Sequence, residues 1–184
     1  MLRSDLQLLG CSCMLISSKL HEIHPPSPDD FEYISDHTYT RGRIISFELE
    51  VCDVLEFRLT GVTCSEWGEH YCKVSGGGEK ERMQVRYLTE LTLLDMNIRS
   101  KPSLVTAACV YLARRMEGRV GWSKDLEHHT GYGKEELREL VGKIAGIRER
   151  AEGSALKAVW CKYKAKKFGE VSLRVGVMEE DLGF

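Results

Sequence analysis

The chain has 184 residues, of which 42% are hydrophobic and 29% charged, and its formal net charge is -2. This balance is typical of a globular protein of one ordinary domain or two small ones, and it gives no electrostatic reason to expect nucleic-acid binding. Because no apolar run is long enough for a membrane span and the N-terminus lacks the features of a signal peptide, we expect an intracellular protein.

Strand signals are scarce and apolar residues recur at helical spacing, so the chain is predicted to be all-α. Residues 6 to 16, LQLLGCSCMLI, are apolar on nearly every side, which is typical of a helix surrounded by protein. Two more helices are predicted, one at DDFEYIS after Pro28 and one over Arg43 to Phe57, with Thr40 as a candidate N-cap residue. Three helices within about residues 1 to 60 are too few to cover a central helix, so either an N-terminal portion is missing or a partner supplies the cover.

A second helical unit follows, and the glycine run in VSGGGEKE is the clearest break in the chain. Pro102 to Met116 is apolar and rich in small residues, which predicts the central helix of this unit. Ser154 is a candidate N-cap for the last helix, and after about Phe168 we expect extended or poorly ordered structure. The predicted helical segments of the unit are Thr63 to Val74, QVRYLTELTLLDMN, PSLVTAACVYLARRM, WSKDLEHH, KEELRELVGKIAGIRERA and SALKAVWCKYK.

No pattern in the sequence predicts a metal, a cofactor or catalysis. The odd number of cysteines, seven, favours a reducing compartment over a disulfide framework. Cys11 and Cys13 are two apart on a predicted helix, so their side chains diverge by about 200° and could not share one metal ion. Phosphate loops, paired catalytic carboxylates and nucleophile signatures are also missing from the sequence, and we therefore do not expect an enzyme.

One carboxylate lies on the wrong face of its predicted helix. Helical-wheel spacing places Glu48 opposite a polar stripe, among apolar neighbours, where a carboxylate needs a positive or hydrogen-bonding partner. Lys19, at the end of the first apolar helix, is the natural candidate. The two residues either form an internal ion pair or flank a surface that receives another protein. The residues of the polar stripe are Arg43, Ser46, Glu50 and Asp53.

Several segments together resemble the mitotic cyclins of the A or B type, from Leu6 to about Leu173. They are LQLLG, SSKLHEI, PP, DDFEYISDHTYT, FELEVCDVLEF, YLTELTLLDMN, KPSLVTAACVYLARR, LEHHTGY and KFGEVSL. The resemblance implies two cyclin folds, each a five-helix bundle around a central helix. Residues 1–60 would be a partial N-terminal cyclin box that lacks its first two helices, and residues 61–184 a C-terminal cyclin fold with an extended tail after about 168.

The resemblance also implies a function. Such proteins are regulatory subunits that bind and activate a cyclin-dependent protein kinase in cell-cycle control, and they have no catalytic activity of their own. The implied partner is therefore this kinase, with no nucleic acid, membrane or small-molecule ligand and no cofactor. The implied location is the nucleus and the cytoplasm.

Individual residues match the family's kinase interface. Lys19 and Glu48 match the residues that hydrogen-bond around the C helix of the kinase. The segment KLHEI departs from the family's KFEEI or KYEEI at Leu20 and His21, and Cys52 replaces an aliphatic residue, so the apolar contact area is reduced. The matching apolar contacts are Leu20, Cys52, Phe57 and Leu59, and the matching remnant of the substrate-docking groove is Leu6 and Gln7.

Two other functions stay open on the sequence alone. A cyclin-fold transcription adapter that contacts DNA would need a basic face, for which KYKAKK from Lys162 to Lys167 is the candidate, although a solvated helix end explains that cluster more simply. A truncated remnant that no longer binds a kinase is the other alternative.

Overall fold

The computed structural model describes residues 5–174, 176 and 182–184. Throughout these residues the regular structure is helical, which confirms the all-α prediction. The chain divides between Gly61 and Val62 into two compact units, here called unit 1 and unit 2. The α-helices are α1 Leu6–His21, α2 Pro28–Ile34, α3 Arg41–Val54, α4 Cys64–Val74, α5 Glu79–Thr92, α6 Pro102–Met116, α7 Lys124–Thr130, α8 Lys134–Arg150 and α9 Ala158–Tyr163.

Polar side chains fix the starts of several helices. Ser27 and Asp30 form a capping box at α2, in which the side chain of each accepts a hydrogen bond from the backbone N–H of the other. The Ser27 hydroxyl also donates to the Asp30 carboxylate, which holds the pKa of Asp30 below its ordinary value. Thr40 accepts from the Arg43 N–H at 3.3 Å, so the predicted N-cap of α3 is confirmed.

Several predicted helix boundaries were wrong. Helix α3 ends at Val54 and not at Phe57. Helix α5 spans Glu79–Thr92 and not Gln84 to Asn97. Helix α9 begins at Ala158, and Ser154 does not cap it, because its hydroxyl accepts instead from the Leu156 N–H at 3.1 Å.

Unit 1 packs α1 against α3, with α2 beside them. The predicted central helix α1 is covered on one side only, since Leu8 and Leu15 are buried while Leu6 and Met14 are exposed. In the described part of unit 1, α1 is therefore only partly covered by other helices, as the sequence predicts. Its core residues are Leu8, Leu15, Phe31, Ile44 and Phe47.

Unit 2 is built around α6. Every residue from Val105 to Arg114 is buried, which confirms the prediction of a central helix. Helices α4, α5 and α8 pack against α6, and α7 packs against α4. Helix α9 adds a short sixth helix, followed by two 3₁₀ turns at Lys166–Phe168 and Val171–Leu173.

The expectation of an extended or poorly ordered tail after about Phe168 was wrong for the residues that the structure describes. Val171 is fully buried in the 3₁₀ turn, and Leu182 is only 4% exposed. Phe184 stacks on Tyr111 of α6 with ring centroids 4.7 Å apart. These apolar side chains pack against the core of unit 2. The mixed polarity of the segment does not predict this packing. Residues 175 and 177–181 lie outside the described part of the chain.

Among the described residues, none of the helices combines the length and the hydropathy that a membrane span requires.

Candidate partner-binding surface

Unit 1 contains an ion pair between its two longest helices, α1 and α3. Lys19 Nζ lies 2.6 and 2.8 Å from the two carboxylate oxygens of Glu48, so one ammonium group bonds both oxygens. The Lys19 side chain is 46% exposed and that of Glu48 is 13% exposed. The pair predicted from the sequence is therefore present, and it lies at the surface rather than in the core.

The local sequence explains why the pair forms at the end of α1. Lys19 and His21 lie in the last turn of the helix, where positive charge interacts favourably with the helix dipole. The chain turns into extended backbone at Glu22, ahead of two prolines that cannot continue a helix. On α3, Arg43 and Glu50 of the polar stripe form their own ion pair at 3.1 Å, and Glu48 faces α1 instead.

Removing the ammonium group of this pair should scarcely destabilise the free chain. Because Lys19 is half exposed, we expect Lys19→Ala to lower the free energy of unfolding of unit 1 by about 1 kcal/mol or less. The three tryptophans of the chain all lie in unit 2, so their fluorescence does not report on unit 1. Native-state hydrogen exchange at the amides of α1 and α3 measures this loss directly. A loss of about 3 kcal/mol or more would instead indicate a pair on which the fold depends.

The predicted apolar contact residues differ in exposure. Leu20 is 43% exposed and Phe57 is 62% exposed, so both present apolar surface to solvent. Leu59 is half-buried. Cys52 is only 6% exposed, so it offers little surface for contact with a partner, and its carbonyl accepts the Phe57 N–H at 2.9 Å.

Phe57 is held in an unusual backbone conformation directly after α3. Glu56 and Phe57 have φ values of 51° and 56°, in the left-handed region that non-glycine residues rarely adopt. Hydrogen bonds hold the turn, with the Glu56 N–H donating to Asp53 O at 2.9 Å and the Arg58 N–H donating to Leu55 O at 2.9 Å. These bonds compensate for the strain. The Phe57 side chain at this turn is largely exposed to solvent.

The two residues that match a remnant of the docking groove are both exposed. Leu6 is 58% exposed, and Gln7 is also exposed, both in the first turn of α1. Neither of them lines the apolar groove of about 590 Å³ between α1 and α3. The apolar lining of that groove is Leu9, Phe47, Val51, Val54 and Leu55.

Sequence reasoning missed part of the exposed apolar surface of unit 1. Ile23 is 92% exposed and Val54 is 83% exposed, and neither was singled out. For Val54 the available signal was the density of apolar residues in FELEVCDVLEF, which is more than one helix face can bury against α1.

Among the described residues, no cluster of three or more histidine, cysteine, aspartate or glutamate side chains could hold a metal ion. All seven cysteines of the chain are free thiols.

Comparison with known families assigns both units. The family described as "Cyclin, N-terminal domain" matches residues 1–60, and the family described as "Cyclin, C-terminal domain" matches residues 62–175. The second match alone covers more than half of the chain.

Individual relatives agree with the family matches. The chain is 33% identical over 175 residues to a G2/mitotic-specific cyclin-A of Hydra viridissima, covering 93% of this chain and 42% of that protein. It is 36% identical over 178 residues to cyclin-A3-1 of Oryza sativa subsp. japonica, covering 92% of this chain and 48% of that protein. It is 32% identical over 172 residues to a G2/mitotic-specific cyclin-B of Hydra vulgaris, covering 93% of this chain and 48% of that protein.

The chain therefore spans less than half the length of each of these relatives. The matches nevertheless extend over both helical units, and the relatives include mitotic cyclins of the A type and of the B type. This chain belongs to the cyclin family.

Proposed function

We propose that the chain is a non-catalytic regulatory subunit that binds a cyclin-dependent protein kinase through unit 1 and activates it in cell-cycle control. The observation that carries the proposal is the surface pair of Lys19 and Glu48, together with the exposed apolar side chains of Leu20 and Phe57 in the same unit. The family membership of both units supports the same function.

The geometry of the pair suits a partner's backbone or side chains. A lysine ammonium has three N–H donors and a carboxylate accepts about four hydrogen bonds, so the mutual bonds leave free capacity on both groups. The pair can thus persist while it donates to and accepts from a kinase. The exposed apolar neighbours would then exclude water from these charged hydrogen bonds, which strengthens them.

Activation follows from which kinase conformation is bound. A protein kinase is active only when a glutamate of its αC helix pairs with the lysine of a neighbouring strand. A protein that contacts αC in that position binds the active conformation more tightly and shifts the population toward it. Lys19 and Glu48 act in this scheme as anchors for αC and take no part in phosphoryl transfer.

The proposal is tested with the purified chain and a panel of cyclin-dependent kinases. We expect micromolar or tighter binding to at least one kinase by calorimetry, together with an increased rate of phosphoryl transfer to a protein substrate. Binding to none of the kinases would refute the proposal and would favour the inactive remnant. Binding without an increased rate would refute activation alone.

The DNA-contacting alternative has less support. Lys162 Nζ bonds both carboxylate oxygens of Glu90, at 2.7 and 2.8 Å, and Lys164 lies 5.1 Å from the ring centroid of Trp160. Both lysines thus already have partners within unit 2 and offer less free charge to DNA. We also propose that the protein occurs in the nucleus and the cytoplasm, which fluorescence imaging of a tagged chain would test.

A further inference from the structure

Ser27 is the one serine or threonine of the sequence that is followed directly by a proline. Three of the four prolines of the chain lie around it, in the stretch HPPSPDD at residues 24–30. A proline has no backbone N–H, so it suits a kinase cleft that offers no acceptor to the residue after the phosphorylated serine. The sequence around Ser27 is therefore typical of a substrate of a proline-directed serine/threonine kinase.

The segment that carries Ser27 is accessible and extended. Ser27 is exposed to solvent, as are His24 and Pro25. The backbone of Ser27 is extended, with φ -80° and ψ 160°, and each proline restricts the residue before it to extended conformations. A protein kinase binds the residues around its acceptor serine as an extended strand. The residues before Ser27 thus already have the backbone form that such a cleft accepts.

The residues after Ser27 are weakly held in α2. This helix has only seven residues, and a helix of this length depends on its packing for stability. The buried residue of α2 is Phe31, which is 4% exposed and lies in the core of unit 1. Residues 24–30 can therefore leave the helix and enter a kinase cleft while Phe31 stays packed.

A phosphate on Ser27 would alter the capping box of α2. The Ser27 hydroxyl donates to the Asp30 carboxylate at 2.8 Å, and the Ser27 N–H donates to the same oxygen at 2.7 Å. These bonds, chiefly the one from the hydroxyl, lower the pKa of Asp30, so its carboxyl group is ionised at neutral pH. Phosphorylation removes the hydroxyl donor and places up to two negative charges beside that carboxylate.

Nearby charges do not offset this repulsion. Asp29 adds a second carboxylate to the first turn of α2. Arg41 already pairs with Asp29, with 3.5 Å between Nε and Oδ2. The helix dipole favours a phosphate at this end of α2, but the two aspartates already interact with the same dipole. The phosphate and the Asp30 carboxylate would therefore compete for one set of backbone donors.

We propose that Ser27 is phosphorylated by a proline-directed serine/threonine kinase and that the phosphate opens the capping box of α2. The Ser27 oxygen forms a bond to the γ-phosphorus of ATP, while the bond from this phosphorus to the oxygen bridging it to the β-phosphorus breaks and ADP leaves. The hydroxyl proton passes to the catalytic aspartate of the kinase. This inference goes beyond the proposed function and involves none of the residues assigned to its interface.

The first test treats the full chain with ATP and a purified mitogen-activated protein kinase, which is proline-directed, and locates the phosphate by mass spectrometry. We expect phosphate at Ser27 and none there in Ser27→Ala. Pro28→Ala should lower the initial rate at Ser27 at least tenfold, because it restores a backbone N–H. Asp29→Asn, at the next position, is the matched control and should change the rate less than twofold. No phosphate at Ser27, or equal rates for wild type and Pro28→Ala, would overturn the proposal.

The second test compares hydrogen exchange of the chain before and after phosphorylation. The amides of residues 30–34 should exchange at least fivefold faster in the phosphorylated chain, whereas those of α6 should be unchanged. In Asp30→Asn the acceleration should be less than twofold, because the repelled carboxylate is absent. Unchanged or slower exchange in α2 would mean that the phosphate caps the helix itself, which would overturn the opening of the box. Because no cyclin-dependent kinase is present, none of these outcomes depends on the proposed function.

Discussion

Glu81→Ala is expected to lower the free energy of unfolding of unit 2 by about 3 to 5 kcal/mol. The Glu81 side chain is fully buried, and its carboxylate pairs with Arg119 and lies 3.7 Å from Arg114 Nη1. Because the Arg114 side chain is only 7% exposed, removing the carboxylate leaves a buried guanidinium without its counter-charge.

The surrounding bonds show what this cluster holds together. Arg114 Nε donates to Val120 O at 2.9 Å, and its Nη1 donates to Ser75 O at 3.1 Å. Arg119 Nη2 also donates to Ser75 O, at 3.2 Å. Burial lowers the pKa of Arg114, and burial, with a further contribution from Glu81, raises the pKa of the Cys72 thiol to about 12. The cluster thus connects the loop before α5 to the end of α6.

Tryptophan fluorescence during chemical denaturation measures this loss, since Trp67, Trp122 and Trp160 all lie in unit 2. Glu79→Ala is the matched control, because Glu79 lies in the first turn of the same helix, is 70% exposed and should change stability by about 0.5 kcal/mol or less. A similar small effect of Glu81→Ala would mean that the buried pair contributes no net stability.

Deleting Leu182 to Phe184 is the second change expected to have a large effect, about 2 to 4 kcal/mol of the free energy of unfolding of unit 2. The Tyr111 hydroxyl donates to Leu182 O at 2.6 Å, and the buried Leu182 side chain and the stacked Phe184 ring cover the core beside α6. Lys134 Nζ also donates to Gly183 O at 2.5 Å. Removing these residues returns their apolar surface, and that of Tyr111, to water.

The same fluorescence measurement serves here, with Leu173→Ala as the control. Leu173 is 50% exposed, and its truncation should cost about 1 kcal/mol or less. An unchanged denaturation midpoint for the deletion would mean that these residues do not contribute to the core in solution.

Much of the fold could be predicted from the sequence because helical periodicity was strong. The central helix α6 was predicted at its observed bounds, since its own sequence places small and apolar residues on nearly every face. The end of α3 was not, because neither Glu56 nor Phe57 has an intrinsic preference for left-handed backbone. The tail was missed because its packing depends on Tyr111, which is 71 residues away from Leu182 in the sequence.

The candidate site could be predicted in part for the same reason. Lys19 and Glu48 were identified because a charge on an apolar helix face requires a partner, and the structure brings the two together. The resemblance identified Cys52 as an apolar contact residue, whereas the structure leaves only 6% of it exposed. The Glu81 cluster also escaped notice, because a glutamate in the first turn of a helix is ordinarily solvent-exposed.

The affinity of the activating kinase for Lys19→Ala and Glu48→Ala variants tests the central claim most directly. If both side chains hydrogen-bond to the kinase, each substitution should weaken binding by about 1 to 3 kcal/mol, roughly five- to 150-fold in Kd. Glu50→Ala is the matched control on the same helix, because Glu50 pairs with Arg43 on the polar stripe and should leave binding unchanged. Calorimetry that gives the wild-type Kd for both Lys19→Ala and Glu48→Ala would contradict the proposed interface.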